Sequence, residues 1–97
     1  MAQFDVYRVE GGLVVDVQTD LIGDFPSRLV IPLRQADEEL VSHYRLNPIV
    51  FVDEEPYVLV TQHMAAIRSK LLGRRIGNLD RHYDEIKSAY DMLFNGF

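Results

Sequence analysis

The sequence contains no cysteine, which excludes a disulfide framework, thiol catalysis and cysteine-ligated zinc or iron–sulfur centres, and fits a reducing compartment. Histidine is sparse. His43, His63 and His82 stand far apart, none at metal-ligand spacing from another, so no metal site is expected. No apolar run approaches the roughly 18 residues of a membrane span, and the start Met1-Ala-Gln-Phe-Asp5 lacks the basic flank and apolar stretch of a signal peptide. The expectation is a cytoplasmic protein with no membrane partner. Glycines are too scattered for a phosphate loop: Gly11-Gly12 reads as a hairpin turn, and Gly73 and Gly77 are isolated. Ser27, Ser42 and Ser69 sit in no nucleophile-elbow context. No cofactor is expected, and hydrolase and nucleotide-binding readings find no support.

What is present is an ordinary globular composition. The 97 residues are 47% apolar and 26% charged, enough apolar side chain to offset ordering entropy in one domain spanning residues 1–97. A chain this short buries little surface, so dimerisation suits it. The formal net charge of −5 opposes direct DNA binding, whose affinity comes from neutralising phosphates. Any link to DNA then runs through a partner protein. Charge is nevertheless uneven: Arg68, Lys70, Arg74, Arg75 and Arg81 lie close together, while Asp53, Glu54 and Glu55 are consecutive. The basic segment reads either as a solvated face or as a docking surface for an acidic protein segment.

Periodicity gives a coarse architecture. In residues 3–9, Phe4, Val6 and Arg8 alternate with Gln3, Asp5, Tyr7 and Val9, the pattern of a half-buried strand. Leu13–Gln18 returns as a second strand after Gly11-Gly12, and Leu29–Leu33 reads as a third, ended near Pro32 because proline has no amide hydrogen for a ladder. Between them Leu21, Ile22 and Phe25 lie in a loop, where they either fold back on the core or form an exposed contact patch. A short helix is expected at most around Asp37–Ser42. Ile49–Val52 and Tyr57–Thr61 flank the turn sequence Asp53-Glu-Glu-Pro56 and predict a hairpin, and Ser69–Leu72 is a further candidate strand. Finally, Leu79, Tyr83, Ile86, Tyr90, Leu93 and Phe94 recur at helical spacing, with Asn78 or Asp80 as the cap and Gly96 as the stop. Periodicity alone therefore reads as mostly β with a terminal helix.

Several segments together carry a family likeness. Gln3-Phe-Asp-Val-Tyr7, Asp16-Val-Gln-Thr-Asp-Leu-Ile22, Ser27-Arg-Leu-Val-Ile-Pro-Leu33, Asp53-Glu54, Met64-Ala65, Asp84-Glu-Ile-Lys87 and Phe94-Asn-Gly-Phe97, in this order, resemble the CcdB family. These are the toxins of bacterial toxin–antitoxin modules that poison DNA gyrase. The resemblance implies an α+β fold, a curled SH3-like antiparallel sheet or barrel of CcdB/Kid type with a C-terminal helix. It also implies a homodimer that is not an enzyme, binds the DNA gyrase A subunit, is neutralised by a cognate disordered antitoxin, and acts with it as co-repressor, touching DNA only through the antitoxin. In such toxins the helix ends in Trp-Gly-Ile, whose tryptophan stacks on an arginine of gyrase, a contact worth about 2 kcal/mol when desolvated.

The matching residues here are Asn95, Gly96 and Phe97, so the family's main anchor is missing, and Phe94 and Phe97 flank the gap with aromatic surface. Phe94 reads either as part of the core stripe or as a contact. By the same resemblance Leu21, Ile22 and Asp91 border the gyrase-facing surface, and Arg68, Lys70, Arg74 and Arg75 are the expected antitoxin contacts. Two alternatives stay open: a CcdB-fold homologue whose gyrase activity is lost or redirected, and a ribonuclease of the MazF/Kid family. Arg28, Thr61 and His63 could supply cation, acid and base for the latter, but the early proline-rich segment typical of MazF-like chains is absent from residues 1–20.

Overall fold

The computed structural model describes residues 2–22, 25–36 and 45–96, with Ile22 represented by its backbone alone. Among the described residues seven antiparallel strands precede one α-helix: β1 (Asp5–Val9), β2 (Gly12–Asp16), β3 (Ser27–Gln35), β4 (Ile49–Val52), β5 (Glu55–Leu59), β6 (Ala65–Arg68), β7 (Arg75–Asn78) and α1 (Tyr83–Asn95). They form one curled sheet in the order β4-β5-β3-β2-β1-β7, with β6 beside β3. This is the α+β architecture expected. The short helix expected around Asp37–Ser42 falls outside the described residues.

β3 organises the sheet, and it runs through Pro32 instead of ending there. Its first half, Ser27–Val30, pairs with β6, and its second half, Leu33–Gln35, pairs with β5. Pro32 sits where the partner changes. Val60 N–H donates to the Pro32 carbonyl (3.0 Å), and the return bond that proline lacks is replaced by a local one, His63 N–H to the Val60 carbonyl (3.0 Å). A 3₁₀ turn at Thr61–His63 thus satisfies the carbonyl that a ladder would have used. Expecting strand termination overlooked this substitution. β6 and β7 were also not expected, and the Ser69–Leu71 segment is a 3₁₀ turn where a strand was anticipated.

Both faces of the central strands are buried, which corrects the half-buried reading of residues 3–9. One face carries the main core, with Val6, Val15, Ile31, Leu33 and Leu59 packed under Ile86 and Ala89 of α1. The other carries Tyr7, Val14 and Val30 under Leu72. Phe4 joins sheet to helix. Its backbone adopts φ 69°, a left-handed value rare for phenylalanine, which drives a 1%-exposed ring into the core and edge-on to Tyr83 at 5.5 Å. Leu79 N–H closes the arrangement on the Phe4 carbonyl (2.8 Å). Asn78 Oδ1 accepts from Asp80 N–H (2.7 Å) at the entrance to the 3₁₀ turn Asp80–His82, and neither that turn nor α1 has a side-chain cap.

The β4–β5 turn is tighter than its sequence suggested, since Pro56 lies inside β5 and only Asp53 and Glu54 turn. Both have positive φ, 49° and 68°, as a two-residue turn matching strand twist requires. Neither is glycine. Glu54→Gly should therefore stabilise the protein by about 1 kcal/mol, seen as a higher urea midpoint at unchanged slope.

Candidate partner-binding surfaces

α1 ends in a left-handed residue. Gly96 has φ 79° and its N–H donates to the Met92 carbonyl (2.9 Å), which turns the chain off the helix axis. The last turn of α1 holds no basic residue. Phe94 is 64% exposed, so its side chain is not part of the core stripe, and its ring lies 6.4 Å from that of Tyr90 at 48°. Leu93 and Asn95 are exposed as well, whereas Asp91 is half-buried. The apolar stripe of α1 is wider than the core it covers. Phe97 lies outside the described residues.

In the loop after β2 the described apolar side chains Leu21 and Phe25 are exposed rather than folded back. Leu21 is 94% exposed, held by a bond from its N–H to Thr19 Oγ1 (3.2 Å), and Asp20 Oδ1 accepts from Gln3 N–H (2.9 Å). Of Ile22 only the backbone is described. Phe25, half exposed, is fixed by Ser69 Oγ–H donating to its carbonyl (2.9 Å). Leu21 and Phe94 are thus both accessible but carried by separate elements.

The basic segment divides. Arg68, Lys70, Arg74 and Arg75 are all exposed, but Arg75, whose side chain keeps 55% exposure, is also tied to the buried carboxylate of Asp5. Its Nε sits 3.0 Å from Oδ1 of Asp5, which also accepts from Asn78 Nδ2 (2.9 Å), and Oδ2 takes Ala2 N–H (3.0 Å) and Tyr7 O–H (3.2 Å). Burial pushes the Asp5 carboxyl up, but hydrogen bonds from Asn78, Ala2 and Arg75 together with the Arg75 charge outweigh it and hold the group below its ordinary value. Burial, then the charge of Asp5, raises the Tyr7 phenol. Because the folded pKa of Asp5 lies below the unfolded one, the network's contribution is complete above about pH 4 and is lost as pH falls through the folded value. Asp5→Asn should cost about 1–2 kcal/mol at neutral pH and flatten the acid limb of the stability curve, measured by urea titration at several pH values.

Beside the basic segment runs a mainly apolar groove of about 290 Å³ whose lining includes Val14, Val30, Pro32, Ala65, Ile67 and Leu71, with the polar Glu10 and His63 also in it. Sequence reading missed it because β6, which supplies Ala65 and Ile67, carries a weak strand signal. The alanines lack the branched or aromatic side chains that mark strands. The set Arg28, Thr61 and His63 does not form an accessible constellation. Arg28 is 2% exposed with Nε on Asp16 Oδ2 (2.8 Å), Thr61 is fully buried, and only His63 is exposed.

Residues 3–96 match the family model described as CcdB protein. The chain belongs to the CcdB family. The CcdB family is one of non-enzymatic toxins of toxin–antitoxin systems that act on DNA gyrase. The position that the sequence resemblance aligns with the family's tryptophan holds Asn95. No helix among the described residues is long and apolar enough to cross a membrane.

Proposed function

We propose that this chain is a cytoplasmic, homodimeric toxin that contacts the DNA gyrase A subunit through the end of α1, with Phe94 as principal aromatic contact. The observation that carries the proposal is the 64% exposure of Phe94 beside Gly96, on a helix whose core needs are met by Ile86 and Ala89. Leu21 and Ile22 extend the surface, and Asn95, Gly96 and Phe97 complete it. Asp91, in a turn without basic residues, adds a carboxylate for a facing arginine. Induced expression in a gyrase-sensitive host should arrest growth with accumulating DNA breaks, and a gyrase-resistant host should be spared. Arrest in both hosts would favour the second reading, a CcdB-fold toxin redirected to another target, which the loss of tryptophan at Asn95 favours.

The dimer seam uses the apolar surface of α1 that the core leaves exposed, Tyr83 and Leu93 among it. Sedimentation at micromolar concentration should show a dimer. The antitoxin's acidic, disordered tail lies along the groove of Ile67 and Leu71, with Arg68, Lys70 and Arg74 at its rim raising the encounter rate. Arg75, tied to Asp5, serves this surface structurally. Charge reversal at Lys70 and Arg74 should slow association and reduce its salt dependence, and unchanged kinetics would place the tail elsewhere. With antitoxin bound, the toxin acts as co-repressor and meets DNA only through it.

A further inference from the structure

A cavity of about 680 Å³ opens at the turn end of the β1–β2 hairpin, beside the last residues of β3 and Tyr57 of β5. Its floor is apolar: Leu13 and Leu33, only 7% and 5% exposed, face each other on the β2–β3 ladder and belong to the main core. Their neighbours Val14 and Pro32 line the groove described above, so the sheet separates the two hollows. Above the floor the lining is polar, with Arg8, Arg34, Gln35 and Tyr57, and it holds no aspartate or glutamate.

Both arginines are exposed, and no ion pair among the described residues involves either. In a chain of net charge −5, two unpaired guanidinium groups around a carboxylate-free cavity call for an anion. Their footing is firm. Arg8 N–H donates to the Arg74 carbonyl (2.9 Å), and the Arg8 carbonyl accepts from Gly73 N–H (2.8 Å). Arg8 pairs with Leu13 and Leu13 with Leu33, so Arg8 stands two strands from β3, roughly 10 Å at the usual ladder spacing, and Arg34 is the next residue along. The glycines of the hairpin turn add no side chain to the rim, and nothing lies within 4 Å of where a Cβ on Gly11 or Gly12 would stand.

We propose that this cavity binds a small molecule carrying two adjacent phosphoryl groups, with Arg8 and Arg34 as its two cationic contacts. A guanidinium meets a phosphate through two parallel N–H bonds, and two of them set strands apart suit two phosphoryl groups better than one. The apolar floor of Leu13 and Leu33 keeps water from one side of the ligand, which strengthens each charged contact. The Gln35 amide and the Tyr57 hydroxyl supply further donors for phosphoryl oxygens. The site lies apart from the end of α1 and from the groove of Ile67 and Leu71, so it is independent of the surfaces assigned to gyrase and antitoxin.

Calorimetric titration of the full chain with pyrophosphate tests this. One site per chain is expected, with orthophosphate about tenfold weaker, and Arg8→Gln and Arg34→Gln should each weaken pyrophosphate about tenfold while leaving the urea midpoint in place, because both side chains are exposed. ADP titrated in parallel tells the source of the phosphates: tighter binding than pyrophosphate marks a nucleotide and equal binding an inorganic diphosphate, and either result upholds the site. Asp37, Glu38 and Glu39 follow Ala36 in sequence and lie outside the described residues. Binding seen only after Asp37→Asn, Glu38→Gln and Glu39→Gln together would mean that the chain neutralises its own arginines. That result would overturn the proposal, as would pyrophosphate binding that is absent or that both arginine variants leave unchanged.

Discussion

Arg28→Ala is expected to cost about 3–5 kcal/mol, a large part of the roughly 5–15 kcal/mol that holds a domain folded. Asp16 is completely buried, and its charge is met by Arg28 Nε on one oxygen (2.8 Å) and Gln18 N–H on the other (3.0 Å). Removing the arginine leaves a carboxylate in a space that solvent does not reach, and no described cation stands ready to replace it. The pair is itself imperfect, since Arg28 Nη2 and Gln18 Nε2 are buried without partners among the described residues. Its worth therefore lies mainly in the penalty for breaking it. A double change, Asp16→Leu with Arg28→Met, removes both charges and should recover most of the loss. Urea denaturation of the three proteins measures this, and a loss below about 1 kcal/mol for Arg28→Ala would show that water reaches Asp16.

The second large effect is a gain. Asn95→Trp restores the aromatic that CcdB-type endings carry, at an exposed position on the last turn of α1, so the fold should be unaffected. If partner recognition depends on an aromatic surface over a guanidinium, about 2 kcal/mol is added, which is roughly a thirtyfold increase in affinity for the gyrase A subunit. Phe94 sets the baseline. Its ring lies 6.4 Å from that of Tyr90, tilted by 48°, and the residue is 64% exposed. Equal affinity of wild type and variant would mean that the guanidinium lies out of reach of position 95 and that Phe94 already holds it.

The hairpin β4–β5, the terminal helix and its glycine stop were legible because each rests on local chemistry: branched residues around a turn, a 3.6-residue stripe, and a left-handed cap. β6 and β7 were not. Ala65-Ala66 and Gly77 carry no strand preference, and these strands exist because β3 and β1 offer them a ladder. Likewise the burial of Asp5 and Asp16 was not legible in strand alternation, because it depends on Leu72 packing on the second face of the sheet and on Arg28 and Arg75, distant in sequence, pairing with them. At the candidate surface the family likeness named positions of which Leu21, Phe94, Asn95 and Gly96 are exposed and Asp91 is half-buried. It could not say that Phe94 faces outward, since helical spacing alone assigns it to the same stripe as Ile86.

The central claim is that the end of α1 meets gyrase, and calorimetric titration of a gyrase A subunit fragment with wild type and with Phe94→Asp tests it most directly. The account predicts measurable binding by wild type that the variant loses while keeping its thermal stability. Binding shared equally by both proteins, or absent from both, would contradict it.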